Sequence, residues 1–156
     1  MNAFETPSEF RAAFDTLLAH MLRQLRVYDR DLNLFELDHL PRHQALRALC
    51  VAGGGRRIEL LLDDTHRVAL ACPRLMQLVR DFSHVIEIRQ ADPDASHPDQ
   101  AFVLADRHGV IVRADKAAVH GTLHLDDAHD AVPLHQSFEA MWQRSQTHVS
   151  ATTLGL

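Results

Sequence analysis

The stretch Asp99-Gln100-Ala101-Phe102-Val103-Leu104-Ala105-Asp106-Arg107-His108-Gly109-Val110-Ile111-Val112 decides the reading of this chain. Ala101 to Leu104 is an unbroken apolar run of strand length, and Val110-Ile111-Val112 is a β-branched partner for it. Asp106-Arg107-His108-Gly109 supplies the turn between them, so the spacing predicts a hairpin.

Working outward, Thr6-Pro7-Ser8-Glu9 carries a capping threonine, a proline at the first helical position and a glutamate placed for a capping box. Phe10, Phe14, Leu17, Leu18 and Met21 then recur at the spacing of one helical face, which predicts a helix over about residues 7 to 23. Leu25 and Val27 alternate with Arg26 and Tyr28 as a short strand. A second helix after Pro41 carries Ala45, Leu46, Leu49 and Cys50 on one side, and Gly53-Gly54-Gly55 stops it. Ile58 to Leu62 is a strand apolar enough to be covered on both faces. Pro73 opens a helix with Leu75, Leu78, Val79 and Phe82 inward, and Val85 to Arg89 is a further strand. A polar linker from Ala91 to Pro98 leads into the hairpin. A last helix, about residues 131 to 145, carries Leu134, Phe138, Met141 and Trp142. This order predicts a single α/β domain over 1–146, a mixed, mostly parallel β-sheet flanked by helices, with a flexible tail over 147–156.

The 156 residues suffice for one core without staples, at 46% apolar and 24% charged residues. A formal charge of -5 argues against general nucleic-acid binding, which needs a basic surface. Glu9, Arg11, Asp15 and Arg23 interrupt the N-terminal apolar residues, so neither a signal peptide nor a membrane span is expected. Cys50 and Cys72 form no CxxC pair and read as free thiols of a cytoplasmic protein.

The element order, the opening Leu25-Arg26-Val27-Tyr28 strand and the Asp99–Asp106 segment with its hairpin together resemble one half of the phospholipase D fold. The similarity spans roughly residues 7 to 145, and it extends to a bacterial branch of that fold that lacks the catalytic motif. In the family this strand carries H-x-K-x-x-x-x-D. Asp106 matches the motif's aspartate, Ala101 stands at the lysine and Asp99 at the histidine. The resemblance implies a histidine that attacks phosphorus, a second histidine from the other half that protonates the leaving group, and lysines that hold phosphoryl oxygens. Alanine performs none of these roles, and an aspartate at the attacking position repels a phosphodiester. His97 lies two residues earlier, displaced along a strand by roughly 7 Å, outside attack geometry unless a bulge at Pro98 shortens the gap.

The expectation is therefore a non-catalytic phospholipase D-like binding or scaffolding module, homodimeric because a single half leaves uncovered the surface that its twin covers. It has no cofactor and no catalytic residue. His97, Asp99, Asp106 and His120 are its cleft candidates. One alternative is a phosphodiester hydrolase with a rearranged histidine site at His97 or His120. Another is a histidine-rich metal-binding domain using His120, His124 and His129, but their spacing lacks the close ligand pairs of a zinc site and reads as a solvated acidic loop. Arg56, Arg57, Arg67, Arg74 and Arg80 read as a solvated face. Gly53-Gly54-Gly55 precedes a strand, not the helix that a phosphate cradle needs.

Overall fold

The computed structural model describes residues 2–145, so the expected tail over 147–156 lies outside the described residues. Those residues form seven strands and five helices: β1 (Asn2–Phe4), α1 (Pro7–His20), β2 (Gln24–Asp29), α2 (Leu40–Ala52), β3 (Arg57–Leu62), α3 (His66–Ala71), α4 (Pro73–Asp81), β4 (Ile86–Gln90), β5 (Ala101–Ala105), β6 (Gly109–Arg113), β7 (Gly121–His124) and α5 (Ala128–Arg144).

Half of the expected capping box forms: Thr6 Oγ1 accepts from the Glu9 amide at 3.1 Å, but the Glu9 carboxylate accepts from the Thr6 hydroxyl at 3.1 Å and not from the Thr6 amide. The helix ends at His20, three residues short of the expected 23, because Met21 turns extended. The three glycines after α2 all have left-handed φ, at 55°, 64° and 80°, a run that side chains with a Cβ resist.

One sheet holds all seven strands in the order β1-β7-β6-β5-β2-β3-β4. The expectation of a mostly parallel sheet is corrected here. Only β2–β3 and β3–β4 pair parallel, whereas β1–β7, β7–β6, β6–β5 and β5–β2 are antiparallel. The physical reason is the supply of crossovers. A parallel pairing needs a helical return, and the chain makes two, α2 and the α3–α4 pair. After β4 it has only an irregular loop, so β5 comes back antiparallel beside β2 and the hairpins continue that sense.

The α1, α2 and α4 helices cover one face with Phe10, Phe14, Leu17, Leu46, Leu75 and Val79, against Val27, Leu60, Ile88, Val103 and Ile111 of the strands. On the other face α5 lays Phe138, Met141 and Trp142 on Tyr28, Leu61, Phe102 and Val110. Residue parity along β5 follows. Val103 and Ala105 point to the α1 side, Phe102 and Leu104 to the α5 side, which places Ala101 on the α1 side.

Candidate functional site

The carboxyl ends of the parallel strands β2 and β3 meet the start of β5 and the end of β6. In α/β sheets this end is where ligands bind. Asp29 is the last residue of β2, Asp63 follows β3, and Arg113 closes β6. These elements put charge on both faces of the sheet.

On the α1 side, Arg113 Nη2 donates to Asp29 Oδ1 at 2.5 Å, and both residues are buried at 4% and 2% exposure. Ala101 pairs directly with Arg113 across β5–β6. Asp29 lies one step beyond the Tyr28–Phe102 pair, so it flanks Ala101 on the other strand. The guanidinium therefore spans β6 to β2 over Ala101, roughly 10 Å from backbone to backbone. Only a small side chain at 101 leaves that path open. Arg113 also donates to the carbonyls of Lys116 at 3.3 Å and Ala118 at 2.7 Å, and lies 5.3 Å from the centre of the Phe10 ring. Burial pushes the Asp29 carboxyl up, and Arg113 opposes that rise.

On the α5 side, Lys116 Nζ donates to Asp63 Oδ2 at 2.6 Å and to the Tyr28 hydroxyl at 2.8 Å. The Tyr28 hydroxyl donates to Asp63 Oδ1 at 2.9 Å. Burial first, and the Asp63 carboxylate second, hold the Tyr28 phenol far above its ordinary value, so it remains a donor. The Lys116 amide donates to the Asp99 carbonyl at 2.7 Å, which ties the β6–β7 loop to the approach of β5. Arg113 and Lys116 thus each have a carboxylate partner, and the arrangement can orient and neutralise.

The sequence candidates do not converge on one cleft. Asp106 stands at the far end of β5 from Asp99, roughly 20 Å away by strand rise, which corrects its place among the cleft residues. Its carboxylate accepts the backbone amides of Leu22, Arg23 and Gln24 at 2.9, 2.8 and 3.0 Å, a structural task. Asp99 is exposed. His97 sits in the β4–β5 loop with Nε2 against the Asp92 carbonyl and a buried Nδ1 without a partner among the described residues. His120 is exposed ahead of β7.

His124 and His129 line one cavity of about 440 Å³ with Val110 and Val112, and His120 does not belong to it. Among the described residues no group of three or more His, Cys, Asp or Glu side chains is placed to hold a metal ion. The five arginines of the second and third units do not gather either. Arg57 pairs with Glu87, Arg74 with the Asp38 carbonyl and Arg80 with Gln77, while Arg56 donates to the Gly53 carbonyl. Arg67 borders a separate cavity of about 330 Å³.

The residues that sequence reasoning missed are Tyr28, Asp29, Asp63, Arg113 and Lys116. A signal existed. Tyr28 is the one tyrosine of the chain and Lys116 its one lysine.

The fold is a phospholipase D-like α/β fold, as its likeness to solved structures supports. NucT from Helicobacter pylori superposes with a TM-score of 0.57 at 13% identity, covering 94% of this chain and 97% of that one. A phosphatidylserine synthase from Haemophilus influenzae Rd KW20 gives 0.61 at 13% identity over 90% of this chain and 37% of that one. The archaeal chromatin protein TrmBL2, whose structure shows a novel mode of DNA binding, gives 0.65 at 11% identity over 94% of this chain. The chain spans about half the length of TrmBL2, 53%, and these identities speak for the fold alone. No curated protein sequence matches the chain. The chain belongs to the family described as Domain of unknown function (DUF7931), whose model matches residues 6–154. No helix among the described residues is long and apolar enough to cross a membrane.

Proposed function

We propose that this chain is a non-catalytic phospholipase D-like binding module that works as a homodimer in the cytoplasm. The observation that carries the reading is the Arg113–Asp29 pair laid over Ala101. Where the resemblance implies a lysine gripping phosphoryl oxygens, a buried ion pair crosses instead, and the neighbouring Lys116 is held by Asp63 and Tyr28. An anion that approaches Arg113 or Lys116 meets a cation already matched by a carboxylate, and at Arg113 binding it requires breaking a buried pair. The exposed Asp99 adds repulsion at the position of the attacking histidine.

The dimer and the compartment rest on thinner support: one unit of a fold whose halves pair, and two free, buried cysteines suited to a reducing environment. The charge of -5 speaks against general nucleic-acid binding. The test is hydrolysis of bis(4-nitrophenyl) phosphate by the full chain alongside His97→Ala and His120→Ala. The reading expects the rate of buffer in all three. Turnover that disappears in either variant establishes the rearranged histidine site and overturns it. Sedimentation at micromolar concentration should find a dimer, and a strict monomer rejects that part.

A further inference from the structure

We propose that the cavity at the amino end of β2, opposite the site just described, binds a small amphipathic anion: a carboxylate carried on an apolar body. The cavity measures about 610 Å³, against about 330 Å³ for the one bordered by Arg67. Both fall in the range of small-molecule sites. Its walls divide by chemistry. Leu17, Ala105 and Gly109 form an apolar floor, and Leu22 and Leu125 stand at its edge with 70% and 39% of their surface exposed. Gly109 keeps this floor close-packed: a Cβ on it would lie 2.6 Å from Leu17 Cδ1 and 3.1 Å from the Ala105 carbonyl oxygen.

Four groups of positive or titratable character line the same cavity: Arg23, Arg107, His20 and His108. Two carboxylates face them, and each is engaged. The Asp106 oxygens point at the amides of residues 22 to 24, and Asp126 lies 3.3 Å from His108 Nδ1. His20 donates from Nδ1 to the Thr16 carbonyl at 2.8 Å. Among the described residues the guanidiniums of Arg23 and Arg107 have no ion pair and no hydrogen bond, and both residues line the cavity together with its apolar floor. Guanidinium forks match a carboxylate, and the leucines match a hydrocarbon body. Asp106 contributes by fixing the backbone that carries Leu22 and Arg23, which gives the aspartate shared with the family motif a task remote from phosphorus chemistry. The inference stands on this cavity and is independent of the inert reading of the opposite end.

Octanoate tests it, with octan-1-ol as the neutral counterpart and acetate as the head group alone, titrated into the full chain by calorimetry below the micelle concentration. The expected result is saturable octanoate binding at least about tenfold tighter than that of either comparison compound. The double variant Arg23→Gln/Arg107→Gln should weaken octanoate about tenfold or more and leave octanol unchanged, while Arg80→Gln changes nothing. Both arginines are exposed, so the variant retains the fold. No saturable octanoate binding, equal binding of octanol, or an unaffected double variant each overturns the proposal. A Leu22→Ser variant that dissociates a dimer while the parent takes up no octanoate assigns the cavity to a second copy, and equally overturns it.

Discussion

Arg113 on β6 holds Asp29 on β2 by reaching over Ala101 on the strand between them. Removing one partner strands a buried charge, so Arg113→Ala should cost about 3–5 kcal/mol in urea unfolding. The double variant Asp29→Leu/Arg113→Met should cost clearly less than the sum of its single changes, since it removes both charges together. Ala101→Lys, which supplies the lysine that the phospholipase D resemblance implies at this position, should destabilise by about 1–3 kcal/mol through overpacking and should hydrolyse no phosphodiester. Single variants indistinguishable from the parent would show that the pair does not shape this end of the sheet.

Asp106 accepts three consecutive backbone amides while its own φ is 54°, in the left-handed region. Asp106→Ala loses the acceptors and keeps the strain, an expected cost of about 1–3 kcal/mol. Asp106→Asn retains one oxygen and tolerates that backbone, so its loss should be smaller. Equal losses for the two would sink this account of the residue.

What the sequence disclosed and what it hid follow from the range of the interactions involved. The first helix was legible because Thr6, Glu9 and the phenylalanine stripe act within a few residues, and the strands at Ile58 and Ala101 because they are continuous apolar runs. The strands β1 and β7 were not. Asn2–Phe4 is three residues long, and Gly121–His124 is buried in a histidine- and aspartate-rich stretch, so neither has a period to read. The helix α3 likewise lacks a side-chain cap at Thr65. The site was hidden for a different reason. Asp29 and Asp63 could be placed at strand ends, but Arg113 and Lys116 meet them only because β5 inserts antiparallel beside β2, and that is decided by tertiary pairing.

The imidazole of His135 is held neutral by geometry. Its Nε2–H donates to the Asp106 carbonyl at 2.7 Å, leaving Nδ1 to accept from Arg26 Nη1 at 3.3 Å. Burial lowers its pKa below the ordinary value, and the Arg26 charge lowers it further, while the Asp106 carbonyl opposes them. Arg26 is itself paired with Glu59 and Glu139, and Glu139 titrates lower still, its carboxylate held down first by Gln143 and also by Arg26. The unfolded chain therefore binds the His135 proton more readily than the folded one. Stability from this group is complete above about pH 6.5 and declines as pH falls through the folded value below it. A melting temperature that drops between pH 7 and pH 5 in the parent and drops less in His135→Gln is the expected result. An NMR titration that places His135 above 6.5 would contradict it.

Burial raises both thiols, Cys50 and Cys72, to a pKa of about 11. Thiolate is the reactive form, so iodoacetamide at pH 8 should label native protein far more slowly than protein in concentrated urea. Equal rates in the two states would mean that these side chains are not packed as described.

The most direct measurement is a titration of isotope-labelled protein with diethyl phosphate, following the side-chain nitrogen resonances of Arg113 and Lys116. Because Asp29 and Asp63 already occupy these two cations, the account predicts that neither resonance moves in a saturable way. A saturable shift at either nitrogen, absent for a neutral phosphate triester, would contradict it.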